Sequence, residues 1–131
     1  MSEFEFPTPE GAIEVAKYLG IEAEEILSLG QDWEYIYPKL EDLPRYIYIY
    51  KYDGISNLAK RVLGCFIFEV LEYHLREGRS DTNVREILNM LYSDIEIHRE
   101  EFRDWSLRDD PYYDNHLDDA WTITPYVREF V

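Results

Sequence analysis

Apolar residues recur at intervals of three and four along most of this chain, and at intervals of two in one stretch. After Thr8-Pro9-Glu10, residues Ile13, Ala16 and Leu19 mark one side of a helix that Gly20 ends. Thr8 can cap it, proline fits its first position, and Glu10 complements the positive end of its dipole. A short second helix is expected over residues 23–29, closed by Gly30.

From residue 33 the period changes to two. WEYIY sets Trp33, Tyr35 and Tyr37 on one side, PKLEDLP makes a proline-bounded connection, and RYIYIYKY repeats the alternation before Asp53-Gly54 turns the chain. Two aromatic runs joined in this way predict a small antiparallel sheet over residues 33–52, which WTIT and Pro125, in residues 121–125, could join as an edge strand. Tyr46, Tyr48 and Tyr50 then line one face, with Ile47 and Ile49 on the other. Both faces are substantially apolar, so the sheet is expected to be covered on both sides. If an interface lies there, a self-contact through Tyr46, Tyr48 and Tyr50 suits it best, because Arg45 and Lys51 make the strip locally basic. Tyr46, Ile49 and Tyr50 also keep a helical spacing, so an all-α fold is the rival.

Helical periodicity returns over residues 55–77. Leu58, Val62, Cys65, Phe66, Leu71 and Tyr73 lie near one side, and VLGCFIF makes the segment apolar on most faces, as a central helix should be. Gly78 stops it. SDTN then offers caps, with Asn83 and Glu86 spaced as in a capping box. Val84, Ile87, Leu88, Leu91, Ile95, His98, Phe102 and Trp105 continue at threes and fours without a break, which predicts one further long helix. A short connection between two such helices implies an antiparallel hairpin. The expected fold is therefore α+β, one domain over 1–131, with an N-terminal helical pair and a small sheet packed on the hairpin. Tyr126, Val127, Phe130 and Val131 should dock the end of the chain onto the body.

Composition narrows the function more than the fold. With 131 residues, 46% of them hydrophobic, the chain can bury enough apolar surface to fold without metal or disulfide. Its single cysteine, Cys65, sits in an apolar run and reads as a buried small hydrophobe, which suits a reducing cytoplasm. The first residues show no export signal, and no apolar run is long enough to span a bilayer, so a soluble protein is expected. Twenty-eight acids against 13 bases give a net charge of −15, which repels nucleic-acid phosphates and anionic membranes. The charge is uneven: residues 1–42 hold eleven acids and two bases, residues 43–65 one and four, and residues 92–131 eleven and four.

No catalytic constellation emerges. His74 with Glu77 and His98 with Glu101 each share a helix face, but in a hairpin the two histidines lie roughly 15–20 Å apart along the axis, too far to share an ion. Both pairs also reverse the glutamate-before-histidine order of di-iron bundles. His98 falls on the apolar stripe, where a core-edge role suits it. His116, among Asp114, Asp118 and Asp119, is the best remaining metal candidate, and no bound metal or cofactor is expected. The serines read as helix ends or solvated positions, Cys65 lacks a basic environment, and the six glycines form no phosphate loop. A metal-dependent enzyme is only the third choice; the chain does not read as an enzyme.

TPEGAIEVAKYLGIEAEEILSL, with its alanine, its leucine-glycine turn and the apolar position that follows, resembles the first two helices of a helix-turn-helix. What the resemblance makes the recognition helix carries Glu22, Glu24 and Glu25 where such folds face DNA with bases or amides, so the pair reads as structural. Acid and tyrosine together remain. Tyrosine adds contact area at low entropic cost. The expected function is a small acidic protein that neutralises or inhibits a basic protein partner, such as a nuclease toxin or another nucleic-acid-binding protein, in the manner of immunity proteins and nucleic-acid mimics. The partner-binding surface is expected at Asp109, Asp110, Tyr112, Tyr113, Asp114, Asp118 and Asp119. The alternative is a structural or adaptor subunit that self-associates through an aromatic surface as a homo-oligomer.

Overall fold

The computed structural model describes residues 3–79 and 83–131, and among them there is no β-strand. Among the described residues eight α-helices run in the order α1 Pro9–Leu19, α2 Glu24–Leu27, α3 Trp33–Ile36, α4 Leu43–Tyr50, α5 Asn57–Arg76, α6 Val84–Tyr92, α7 Ile95–Ser106 and α8 Thr124–Arg128, with single 3-10 turns at Leu40–Asp42, Pro111–Asp114 and Leu117–Asp119. The sheet expected over residues 33–52 and 121–125 does not form, and the fold is the all-α alternative. The chain divides into two compact units, Met1–Val70 and Leu71–Val131, with α5 passing through the boundary.

In the first unit the aromatic runs are helical because one side chain recruits them. Phe66 of α5 is fully buried, and Trp33, Tyr37 and Tyr46 pack on its ring at centroid separations of 6.5, 5.5 and 5.5 Å. Residues 33 and 37 share a side in a strand as well as in a helix, but a strand would place Tyr35 with them, and only the 3.6-residue period turns it away. Tyr35 and Ile36 instead face solvent. The same period splits RYIYIYKY. Leu43, Tyr46 and Tyr50 are buried, whereas Tyr48 is 77% exposed. Pro44 sits in the first turn of α4, where a missing N–H costs nothing. Burial raises the Tyr46 hydroxyl well above the usual tyrosine range, and its oxygen accepts the Lys39 backbone N–H at 3.0 Å.

Helix α1 begins as its sequence indicates: Thr8 Oγ1 accepts the Gly11 N–H at 3.0 Å, and Gly20 ends the helix in the left-handed region at φ 73°. Its buried side is Ala12, Val15, Ala16 and Leu19, while Ile13 is more than half exposed. Gly11 lets α1 approach α5 closely, since a Cβ there would stand 2.4 Å from the Leu58 carbonyl oxygen. Ser56 caps α5 by accepting the Ala59 N–H, and its own N–H and hydroxyl donate to Glu14 of α1 at 2.9 and 2.6 Å. Cys65 is buried, as its apolar run implies. Helix α2 is a single turn with Glu22, Glu24 and Glu25 exposed, too short to lie along a DNA groove.

The second unit is built from the end of α5 with α6, α7 and α8. The long helix expected from residue 84 to 105 is two helices interrupted at Ser93-Asp94. Val84, Ile87, Leu88, Leu91, His98, Phe102 and Trp105 of its apolar stripe are buried, but at the interruption Ile95 is only partly buried and Ile97 takes the inner position. Asn83 precedes α6 without a side-chain cap bond; Ser80, Asp81 and Thr82, the other expected caps, lie outside the described residues.

WTIT is not a strand because two buried polar anchors bind it. Glu72 Oε1 accepts the Ile123 N–H at 2.8 Å and the Thr124 hydroxyl donates to the Trp105 carbonyl at 2.9 Å, while Glu101, within α7, accepts the Trp105 indole N–H at 2.9 Å and orients that ring. Trp121 packs on Trp105 at 4.5 Å. Pro125 falls in the first turn of α8 instead of at a sheet edge. The end of the chain docks through Val127, which is fully buried, and through Phe130, whose ring is tilted against Tyr92 and meets Phe102 edge-on; Val131 stays 44% exposed. No described helix is long and apolar enough to cross a membrane.

Candidate functional site: an acidic, tyrosine-bearing shelf

Residues 107–119 leave α7 and return toward α8 as a surface loop containing two 3-10 turns. Leu107 starts the loop in the left-handed region at φ 56°, a conformation costing a non-glycine residue about 1 kcal/mol or more. Arg128 of α8 holds it there. Its guanidinium donates to the Ser106 carbonyl at 2.7 Å and the Leu107 carbonyl at 3.3 Å, and its Nη1 reaches Asp114 Oδ1 at 3.3 Å. One largely buried arginine thus ties the end of α7 to the middle of the loop.

The loop then braces itself. Asp110 accepts the Tyr112 N–H at 3.1 Å and so caps the turn Pro111–Asp114, where proline takes the first position. The Tyr112 hydroxyl donates to Asp119, joining the two 3-10 turns. That hydrogen bond to the charged carboxylate raises the Tyr112 hydroxyl above its ordinary range. His116 Nδ1 lies 2.7 Å from the Tyr112 carbonyl, and its imidazole stacks on the Tyr112 ring at 4.1 Å with 6° between planes. Tyr113 meets Tyr112 edge-on at 5.1 Å.

All seven residues expected to bind a partner therefore lie on one short surface segment, and most of them also have a structural task. Asp109 sits 3.7 Å from Arg103, Asp110 caps, Asp114 pairs with Arg128, and Asp119 accepts from Tyr112. Asp118 is exposed. The carboxylates stay accessible while engaged: Asp109 is 80% exposed at its side chain and Asp114 55%. His116 faces the Tyr112 ring instead of a carboxylate cage, and among the described residues no group of three His, Cys, Asp or Glu side chains could hold a metal.

Comparison with family models, curated proteins and solved structures finds no match. The site is therefore read from its own chemistry: fixed carboxylates and exposed aromatic rings, with arginines behind them.

Of the residues expected to make a self-contact, Tyr46 and Tyr50 are core and Tyr48 is exposed, so within RYIYIYKY the surface tyrosines are Tyr48 and Tyr52. Arg128 and Arg103, which brace the shelf, carried no local sequence signal. Arg128 stands 14 positions from the aspartate it meets, and only the turn into α8 brings it there.

Proposed function

We propose that this chain is a small acidic binding protein that neutralises or inhibits a basic protein partner, acting as a binder and not as an enzyme. The observation that carries it is the shelf, where five aspartates and two tyrosines within residues 109–119 are braced by Arg128, Arg103 and their own hydrogen bonds. A braced loop loses less entropy on binding than a free tail would. Carboxylates displayed on it attract a cationic surface at long range, and the tyrosine rings add contact area once the surfaces meet. A net charge of −15 directs the same steering and disfavours DNA or RNA itself as the partner. A reducing cytoplasmic setting belongs to this proposal, supported by one cysteine buried as a thiol.

The test is capture of partners on the immobilised full chain, followed by stopped-flow association with the captured protein across ionic strength. Partners should be basic, association should slow at least about tenfold from low to high salt, and Asp109→Asn with Asp118→Asn should slow it further. Partners without basic surfaces, or association indifferent to both salt and the shelf substitutions, would refute it.

A further inference from the structure

The first unit carries a second surface whose chemistry is opposite to that of the shelf. Arg45, Tyr48 and Tyr52 recur at three and four, so they form one exposed stripe along α4 and just beyond its end, bordering the buried side of Leu43, Tyr46, Ile49 and Tyr50. With Tyr18 of α1 and Pro44 they line an open groove of about 580 Å³, within the usual range for small-ligand sites. Tyr18 and Tyr52 pack against each other at 5.4 Å with ring planes 57° apart, forming one wall. Tyr48, 77% exposed, forms another, and Ile49 closes the floor. An aromatic ring that exposed adds little to the stability of the unit.

The lining has one charged group, and it is held in place. Arg45 Nη2 donates to the Leu19 carbonyl at 2.8 Å, at the negative end of α1. This uses one of five guanidinium donors and fixes the plane of the rest, so little side-chain entropy remains to be lost when an acceptor arrives. The chain is also least acidic here despite the net −15: residues 43–65 hold four bases and one acid, a +3 segment in a chain whose remainder sums to −18, and Lys17 and Lys51, neighbours in sequence of Tyr18 and Tyr52, are exposed. At physiological salt, acids beyond about 8 Å are largely screened from the groove.

We propose that this groove binds a small aromatic monoanion of the carboxylate class, its ring among Tyr18, Tyr48 and Tyr52 and its carboxylate on Arg45. A bidentate carboxylate matches the fork of a fixed guanidinium. A lone lining cation selects a single negative charge over a polyphosphate. A cationic ligand, which the three tyrosine faces could otherwise attract, is repelled by Arg45. This site is independent of the acidic shelf, and either can fail without the other.

The experiment is a titration of the full chain with indole-3-acetate, indole-3-acetamide and tryptamine, followed by amide NMR shifts and calorimetry, with sedimentation of the unliganded protein alongside. The acid should shift the resonances of Tyr48, Ile49 and Tyr52 and bind at least about tenfold more tightly than the amide, with tryptamine weakest. Tyr48→Ala, at an exposed position that leaves the fold intact by circular dichroism, should weaken the acid about tenfold. Arg45→Lys should keep part of the preference for the acid and Arg45→Gln should erase it. Equal binding of acid and amide, shifts that map elsewhere, or self-association of the free protein that covers Tyr48 would each overturn the proposal.

Discussion

Replacing Gly11 with alanine sets local propensity directly against tertiary packing. In an isolated helix the change stabilises by about 1 kcal/mol, because glycine gives up more backbone entropy than alanine. In this protein the new methyl would lie 2.4 Å from the Leu58 carbonyl oxygen, 2.9 Å from its carbon and 2.9 Å from Val62 Cγ2. Two of those three atoms are backbone of α5 and cannot rotate aside. To restore ordinary contact, α1 must retreat by about 1 Å, a gap that forfeits a quarter to a half of the attraction at each contact it loosens. The side of α1 that would loosen is Ala12, Val15, Ala16 and Leu19, none more than 5% exposed. Burying such a set stabilises by roughly 5–6 kcal/mol, so the retreat costs about 1.5–3 kcal/mol. Against the propensity gain the net loss is about 0.5–2 kcal/mol, which lowers the melting temperature by about 2–10 °C for a chain of this size. Thermal and urea melts followed by circular dichroism measure it, with Ile13→Ala, on the exposed side of α1, as the control expected to change stability by less than about 0.5 kcal/mol. An unchanged or higher melting temperature for Gly11→Ala would show that the close approach of α1 and α5 does not hold.

Other consequences concern the second unit. Arg128→Ala removes the donors to the Ser106 and Leu107 carbonyls and should destabilise by about 2–4 kcal/mol in urea melts, with faster amide exchange across residues 107–119; Arg128→Lys should recover part of it. Glu72→Ala orphans the buried Ile123 N–H and should cost about 2–4 kcal/mol, whereas Glu86→Ala, at an exposed position, should be nearly neutral. Tyr112 titrates above its ordinary value when folded, so the stabilisation from its bond to Asp119 is fully present below about pH 10 and is lost as pH rises through the folded value. Ultraviolet titration should show one tyrosine moving down toward the usual range in Asp119→Asn. Glu129 behaves in the opposite sense. The bidentate bond from Arg85 holds it below the usual carboxylate range, so its contribution is present above that range and fades as pH falls through the folded value; in Arg85→Gln the NMR midpoint of Glu129 should rise.

Much of the helical half was legible. Thr8, Pro9 and Gly20 bound α1 through rules that act within a few residues, and the stripe from Val84 to Trp105 names the buried side of both helices it became. The site was legible as a segment, since acids and tyrosines concentrate in residues 109–119, but its bracing was not. Tyr112 and Asp119 are seven apart in an irregular loop with no fixed period, and Arg128 meets Asp114 only because α8 packs where it does.

The chain order of charge, the Thr8 cap of α1, the terminating glycines and most of each apolar stripe are properties of the sequence itself, because each depends on neighbours within one or two turns. The secondary structure of WEYIY, RYIYIYKY and WTIT was not such a property. Each satisfies both a two-residue and a 3.6-residue period over so short a span that local propensity leaves them close in free energy. Phe66, 33 residues from Trp33 and 20 from Tyr46, decided the first two by offering a buried ring to residues that a helix brings together. Glu72 decided the third by accepting the N–H of Ile123 from 51 residues away. With local preferences so evenly balanced, contacts distant in sequence supplied the difference and turned the tyrosines of RYIYIYKY into a core pair, Tyr46 and Tyr50, and two exposed rings, Tyr48 and Tyr52.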